Sequence, residues 1–348
     1  MPNLSRDQLH DLMTRLFEAL GAPKDEAQTT ADVLTQANMT GHDSHGLIRM
    51  PQYAEAVRKG FIQPGAPTEI VQDADGAAVY NGNWNFGQVS MTHALNETLE
   101  RAEKGAPVSF GIRNCNHIGR LGHYAHLAAK RGCFALIVVN STGSASAVAP
   151  YGGSEPRLGT NPFCAAFPTE SDPVLIDMTS SVAAEGKIRA RRNANQPLPE
   201  GWILDLEGKP STDPADFYGP PRGAILSFGG QAAHKGFGLG LFAELLAGTL
   251  TGAGNVRERE GHVGNGVFCL LIKIDAFRPL GEFQSGVSRL ARFLKATRLA
   301  EGFDEILLPG EPEARAEKER SANGVWIDET TWGQVMAEAE RYGCAPPF

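Results

Sequence analysis

The first sixty residues have the apolar pattern of helices. Apolar side chains recur at helical spacing over residues 9–20, after Ser5 and Gln8, which form a capping box. A second helix is predicted over residues 24–39 and a third shortly afterwards. Because proline is tolerated only in the first turn of a helix, Pro51 predicts that the third helix begins just before it.

From about residue 68, short strands alternate with helices. Strands are predicted in the segments TEIVQD, AAVYNG, VSFGIRN, CFALIVVN, PFCAAFP, PVLIDMT and GVFCLLIKID. Helices are predicted over residues 91–99, 120–131, 182–192, 235–250, 284–300 and 331–342. This order predicts an α/β fold, with a mixed central domain and helical segments from both chain ends.

Composition narrows the class of protein. The 348 residues are 42% hydrophobic and 21% charged, which is typical of a globular chain. The net charge of −8 argues against a nucleic-acid surface, and the apolar runs are too short to cross a membrane. The acidic, amphipathic start does not resemble a signal peptide, and five scattered cysteines predict reduced thiols. We therefore expect a cytoplasmic protein without a disulfide framework or zinc finger.

Two common nucleotide-binding patterns fail. The segment GFGLGL (236–241) has the wrong glycine spacing for a Rossmann turn. In GGQAAHKG, His234 stands where a phosphate-binding loop needs glycine. A dinucleotide, if bound, would therefore not bind through a Rossmann turn.

The stretch TGHDSHGLIRMPQY concentrates polar chemistry ahead of the third helix. A metal site there would use His42, Asp43 and His45. An ordinary polar turn, with Asp43 or Ser44 capping the helix, explains the same residues. In a third interpretation, His45 is a general acid/base and Arg49 clamps a carboxylate, since arginine forms bidentate pairs. The local pattern leaves all three open.

Seven segments, taken in order, resemble one family. They are DSHGLIRMPQY, NCNHIGRLGHY, YGGSEPRLGTNPFCAAFP, IDMTSSVAAEGKI, PLPEGWILDLEGKPSTDP, HKGFGLGLFAELLAG and PGEPE. Together they are similar, from the first helices to about residue 325, to the malate/L-lactate dehydrogenases that lack a Rossmann fold. That family includes ureidoglycolate and sulfolactate dehydrogenases, diketogulonate reductase and piperideine-2-carboxylate reductase.

The resemblance implies a homodimer that binds NAD or NADP. The cofactor and a small carboxylate substrate would bind a non-Rossmann, mixed-sheet domain of residues 75–290. Residues 1–74 and 291–348 would form the helical domain, and the active site would lie near the subunit interface.

The resemblance also implies residue roles. His45 would be the proton donor in reduction, with Ser44 beside it, and His117 is the second catalytic candidate. Arg49 and Thr160 would bind the substrate. Cofactor contacts would come from Ser141, Asp177, Met178, Thr179, Lys187, His234, Lys235, Gly236, Gly310, Glu311 and Pro312. No residue is assigned to a metal.

Glu185 departs from the family pattern. It stands where a histidine or arginine of other members could face a ribose 2′-phosphate, and a carboxylate there would repel that phosphate. We therefore expect NAD to be favoured slightly over NADP, although Arg189, Arg191 and Arg192 nearby weaken the argument.

The expected reaction is hydride transfer between NAD(P)H and the C2 carbon of a small 2-oxo acid, giving a 2-hydroxy acid. Arg49 would orient the carboxylate and His45 would protonate the forming alkoxide, with Ser44 or Asp43 setting its tautomer. The alternative is reduction of a cyclic imino acid such as piperideine- or pyrroline-2-carboxylate, which needs the same two residues. A metal hydrolase and a non-catalytic binding protein are the rivals from other classes.

Overall fold

The computed structural model describes residues 2–105, 107–193, 195–219, 222–256 and 262–344. Its helices are α1 (Arg6–Ala19), α2 (Lys24–Met39), α3 (Met50–Arg58), α4 (Gly87–Ala102), α5 (Leu121–Lys130), α6 (Glu185–Asn193), α7 (Pro214–Tyr218), α8 (His234–Ala243), α9 (Leu280–Lys295), α10 (Glu311–Asn323) and α11 (Glu329–Arg341). Its strands are β1 (Asn3–Leu4), β2 (Glu69–Ala74), β3 (Ala77–Asn81), β4 (Val108–Cys115), β5 (Cys133–Ser141), β6 (Phe163–Phe167), β7 (Val174–Met178), β8 (Ile203–Leu204), β9 (Pro210–Ser211), β10 (Ala224–Ile225), β11 (Asn265–Lys273) and β12 (Val325–Trp326).

A seven-stranded mixed sheet, in the order β2-β3-β4-β11-β5-β6-β7, organises the molecule. β3 and β4 are parallel, and the other neighbouring pairs are antiparallel. Strands β3, β4, β5 and β7 therefore point the same way, and their carboxyl ends lie along one edge. The predicted α/β class with a mixed sheet is confirmed.

Local sequence explains the main elements. Ser5 and Gln8 form the predicted capping box of α1, with both reciprocal hydrogen bonds present. On β5 the successive residues Ile137, Val138 and Val139 are at most 2% exposed, so both faces of this strand are covered. That burial explains the continuous apolar run in the sequence.

The two ends of the described chain pack together. β1 pairs with β12, α3 contacts α11, and Arg58 forms an ion pair with Glu338 at 2.5 Å. β2 joins the main sheet ahead of the boundary predicted at residue 75, and α9 crosses the one predicted at residue 291. The division into two domains stays a prediction.

Several regions differ from the predicted elements. The helix predicted over residues 284–300 is α9 (Leu280–Lys295), and β1, β12 and α7 were not predicted. α6 begins at Glu185 and not at Val182, because Ser181 pairs with Ser227 in an antiparallel bridge and the Val182 N–H is bound to the Leu226 carbonyl at 2.9 Å, as in a strand. The helix that continues α8 takes a wider, π-type winding over Glu244–Leu250. α10 and the small sheet of β8, β9 and β10 were not predicted, since α10 has no buried residue and these strands have two residues each.

Membrane spans and disulfides were not expected from the sequence. Among the described helices, none is both long and apolar enough to span a bilayer. All five cysteines are free thiols, and four of them are buried.

Candidate active site

The turn that carries His45 connects α2 to α3. Two short 3₁₀ turns fill this connection, and Asn38 fixes both of them. Its Nδ2 donates to Asp43 Oδ1 at 2.7 Å, and its Oδ1 accepts from the Leu47 N–H at 2.8 Å. Between the turns stands Gly46, where a Cβ would lie 2.1 Å from the Asn38 amide oxygen. Glycine is required there by lack of space.

Two polar side chains of this turn face α10. Asp43 pairs with Arg320 through two contacts of 2.6 and 3.0 Å, and His42 Nε2 lies 3.1 Å from Glu313 Oε1. His42, Asp43 and His45 thus have different partners and do not converge. Within the described ranges, no group of three or more histidine, cysteine or acidic side chains is placed to hold a metal.

His45 is oriented by its neighbour Ser44. Its Nδ1 lies 3.0 Å from Ser44 Oγ. Ser44 therefore contacts the ring as expected, whereas the expectation that Asp43 sets the tautomer is wrong, because Asp43 is turned toward Arg320.

His117 packs against His45. Their ring centroids are 5.7 Å apart and their planes differ by 20°. His117 Nδ1 lies 2.6 Å from the Tyr53 hydroxyl on α3, and Gln88 on α4 donates to that hydroxyl at 2.8 Å. The fold thus brings the two candidate catalytic histidines into one cluster.

Arg49 lies at the other end of the turn. Its Nε donates to the Ser44 carbonyl at 2.6 Å, and Nη1 donates to Gln52 Oε1 at 2.8 Å. A cavity of about 200 Å³ adjoins it, lined by Ser44, Arg49, Arg189 and residues near Trp326. Asp43 and Asp328 also line this cavity, whereas His45 and His117 do not. A permanent positive charge at this cavity suits a small carboxylate.

Burial and neighbouring groups shift the pKa values of His45, His117 and Tyr53 toward their neutral forms. Burial lowers the pKa of His45 well below its usual value, and His117 and Arg49 lower it further. Burial, then Arg49, lowers the pKa of His117 to about 3. Burial raises the pKa of Tyr53 to about 12. At neutral pH the site therefore contains two neutral imidazoles, a neutral phenol and one guanidinium.

Predicted cofactor residues lie at the carboxyl edge of the sheet. His117 follows β4, Ser141 ends β5, and residues 177–178 end β7. Asn265 of β11 connects the first two, because it lies opposite Ser141 and accepts from the Ile118 N–H at 3.1 Å. In open α/β sheets, ligands bind outside this edge.

Thr160 lies beside the same edge. Its carbonyl accepts from the Ser180 N–H and hydroxyl, each at 3.1 Å. Next to it, a Cβ on Gly159 would lie 2.6 Å from Ser141 Oγ. Thr160 does not line the cavity at Arg49. Its geometry associates it with the cofactor residues, and its role at the substrate stays a prediction.

A larger cleft of about 460 Å³ borders β7. Arg120 lines it, lies 3.5 Å from Asp177 Oδ2 and donates to Thr40 Oγ1 at 2.8 Å. The buried Nε and Nη2 of Arg120 have no hydrogen-bond partner in the described part of the chain. Gly310 lines the same cleft. Guanidinium groups bind phosphate oxygens, which suits Arg120 to a dinucleotide, while four acidic side chains, Asp32, Asp172, Glu313 and Glu317, also line this cleft.

The other predicted cofactor residues are more open. Met178 is 37% exposed, and Thr179 donates its hydroxyl proton to the Ser181 carbonyl at 2.9 Å. Gly236 is buried, and Glu311 pairs with Lys295 at 2.6 Å. Exposed in the single chain are Lys187, His234, Lys235 and Pro312. The cofactor roles of all these residues stay predictions.

Glu185 is paired. Its carboxylate accepts from Arg189 at 2.9 to 3.2 Å and from the Tyr218 hydroxyl at 2.7 Å. The next residue, Gly186, abuts the catalytic turn, since a Cβ there would lie 3.1 Å from Ser44 Cβ. This pairing offsets the negative charge, so the sequence argument for NAD over NADP stays a prediction without structural support.

Three residues of the site were not identified from the sequence as functional: Tyr53, Gln88 and Arg120. Tyr53 had a signal, because it stands four residues after Arg49 at the start of a helix and so shares its face. Gln88 and Arg120 had none, because their places beside Tyr53 and Asp177 depend on tertiary packing.

Comparisons with known proteins identify the family. The chain matches the malate/L-lactate dehydrogenase family model over residues 4–336. It is 34% identical over 331 residues to malate/(S)-sulfolactate dehydrogenase of Methanothermus fervidus, covering 93% of this chain and 94% of that protein. Malate dehydrogenase from Entamoeba histolytica has a similar structure, with a TM-score of 0.94 and 28% identity over 100% of this chain and 99% of that one. For delta1-piperideine-2-carboxylate reductase of Pseudomonas syringae pvar. tomato, the TM-score is 0.82 at 26% identity, over 97% of this chain and 100% of that one.

Proposed function

Because the chain belongs to the malate/L-lactate dehydrogenase family of oxidoreductases, we propose that it interconverts a small 2-oxo acid and its 2-hydroxy acid with NAD(P). The observation that carries the proposal is the arrangement of one short turn. His45 lies in its middle and Arg49 at its end, and hydrogen bonds of 3.0 and 2.6 Å to Ser44 hold both of them. A proton carrier and a carboxylate clamp are what this reaction requires.

In reduction, C2 gains a hydride and the carbonyl oxygen gains a proton. Arg49 binds the carboxylate and so aligns the adjacent carbonyl carbon. His45 gives the proton to the oxygen, and its ring becomes neutral. In the reverse direction neutral His45 takes the hydroxyl proton as the hydride leaves C2.

The low pKa of His45 affects whether the enzyme is ready for oxidation or for reduction of the substrate. Without substrate, burial and the positive charge of Arg49 keep the ring neutral, which is the form needed for oxidation. A bound carboxylate would offset the charge of Arg49 and favour the protonated ring needed for reduction. The carboxylate offsets only the contribution of Arg49, because burial, the largest cause of the low pKa of His45, remains.

NAD or NADP, when bound, supplies or accepts the hydride. We place it along the carboxyl edge of the sheet and the cleft at Arg120. The residues that would hold it are Ser141, Asp177, Met178, Thr179, Lys187, His234, Lys235, Gly236, Gly310, Glu311 and Pro312. Arg120 adds a buried positive charge to this set, which suits the diphosphate.

A homodimer is part of the proposal. On α9 no residue is buried, and Phe293 is 75% exposed, while Phe277 just before this helix is 77% exposed. The turns after α8 also expose Leu245. Apolar side chains exposed in this number suit an interface between two copies.

Reduction of a cyclic imino acid is the second candidate, favoured by the structural similarity to the piperideine-2-carboxylate reductase. Such a substrate also carries a carboxylate for Arg49, and its reduction also moves a proton near the reacting carbon.

Oxidation of NADH and NADPH with pyruvate, oxaloacetate and piperideine-2-carboxylate, measured side by side, tests both candidates. We expect turnover with at least one 2-oxo acid to exceed that with the imine. The reverse order would support the second candidate, and binding of NADH without consumption in any mixture would contradict both.

A further inference from the structure

The Nδ1 atom of His117 ends a buried chain of hydrogen bonds. Gln88 is fully buried, and its Nε2 donates to the Tyr53 oxygen at 2.8 Å. Tyr53 is also buried, and its oxygen lies 2.6 Å from His117 Nδ1. The Tyr53 oxygen accepts from Gln88, and among the described residues His117 Nδ1 is the other group within hydrogen-bond distance of it, so the phenolic proton is directed at His117. Nδ1 must then be the acceptor of this bond.

A neutral imidazole has one N–H, so an accepting Nδ1 leaves the proton on Nε2. Both groups are neutral, since burial lowers the pKa of His117 to about 3 and raises that of Tyr53 to about 12. The Nε2 atom takes part in no hydrogen bond among the described residues. It is therefore a free donor beside the ring of His45.

We propose that Tyr53 and Gln88 are positioning residues that hold His117 as the neutral Nε2–H tautomer, which donates a hydrogen bond to the reacting oxygen of the substrate. This inference rests on the proposed function and divides the labour of the two histidines. His117 stabilises the negative charge that develops on the oxygen and keeps its own proton. His45 alone exchanges a proton with the substrate.

The surroundings of His45 suit the opposite behaviour. Its Nδ1 contacts the Ser44 hydroxyl, which is able either to donate or to accept. Ser44 thus remains a partner whether or not Nδ1 carries a proton. Reversal of the chain behind His117 would require the buried Gln88 amide to turn over, which would exchange an Oε1 atom without a hydrogen-bond partner among the described residues for an unpartnered Nε2. A fixed donor and an adaptable proton carrier therefore stand 5.7 Å apart, measured between ring centroids.

The tautomer is measurable without turnover. In the full-length enzyme labelled with ¹⁵N-histidine, long-range proton–nitrogen spectra distinguish a protonated from an unprotonated ring nitrogen. The His117 signals are identified by their loss in His117→Gln. At neutral pH we expect Nδ1 of His117 to be unprotonated and Nε2 to be protonated. In Tyr53→Phe and in Gln88→Leu we expect a mixture of tautomers.

Tyr124→Phe is the matched control. It removes another buried hydroxyl, which donates to the Ile118 carbonyl at 2.6 Å, next to His117 but not to its ring. We expect the His117 signals of this variant to match wild type. A proton on Nδ1 of His117 in the wild-type enzyme would overturn the proposal. An unchanged His117 tautomer in both Tyr53→Phe and Gln88→Leu would also overturn it.

Kinetics supply a second readout. In Tyr53→Phe we expect kcat to fall about tenfold or more while KM for the cofactor is retained, because a misaligned donor weakens only the transition state. If the enzyme turned over neither 2-oxo acid nor imine, the proposed function would fail while the tautomer result would still stand or fall separately.

Discussion

The turn that carries His45 and the strand edge that carries Asp177 are held in different ways. In the turn, Asn38, Ser44 and Tyr53 each hold a neighbouring group at 2.6 to 3.0 Å. At the strand edge, Asp177 accepts from the Gly122 N–H at 2.8 Å, but Arg120, although its Nε lies 3.5 Å from Asp177, keeps two buried nitrogens without hydrogen-bond partners among the described residues. The predicted cofactor lysines, Lys187 on α6 and Lys235 on α8, are exposed.

This difference indicates that the turn of His45, and not the strand edge of Asp177, is ordered before a ligand binds. The catalytic groups are oriented by the fold itself, which reduces the entropy lost when the substrate is aligned. The strand edge has donors without hydrogen-bond partners among the described residues, so we expect a ligand or a second subunit to complete its interactions. Substitutions in the turn should therefore lower turnover or substrate affinity, whereas substitutions at the edge should change cofactor affinity.

The largest effect is expected for His45→Gln. Loss of the proton carrier should lower kcat by about 10²–10⁴-fold. NADH binding, followed by fluorescence, should be retained because His45 belongs to the turn. His42→Gln is the matched control, since His42 faces Glu313, and it should keep most of the turnover. Near wild-type kcat in His45→Gln would remove the catalytic role from the turn.

Arg49→Lys should have the next largest effect. Lysine lacks the planar fork that binds a carboxylate at two points, so KM for the 2-oxo acid should rise about tenfold or more. Arg189→Lys is the control, because Arg189 lines the same cavity but is paired with Glu185. Equal increases in KM for the two variants would show that Arg49 does not bind the substrate carboxylate in the proposed way.

Features with a local cause were predictable from the sequence. The capping box of α1 and the buried run of β5 depend on residues that are neighbours in sequence. At His45 and Arg49 the local pattern left three interpretations open, and only the resemblance to a family chose among them. α10 was missed because its surface is polar on every side. The contacts of His117 with Tyr53 and Gln88 join three separate elements, so no spacing in the sequence reveals them.

The smallest effect is expected for Glu185→Gln. Glu185 begins α6, beside the catalytic turn, and shares its charge with Arg189 and Tyr218. Since partly exposed ion pairs contribute at most about 1 kcal/mol, the ratio of kcat/KM for NADPH and NADH should change by no more than about fivefold. The ratio is measured with a saturating 2-oxo acid in wild type and variant. A much larger gain for NADPH would show that Glu185 repels a 2′-phosphate, and would extend the cofactor site from the strand edge to the turn.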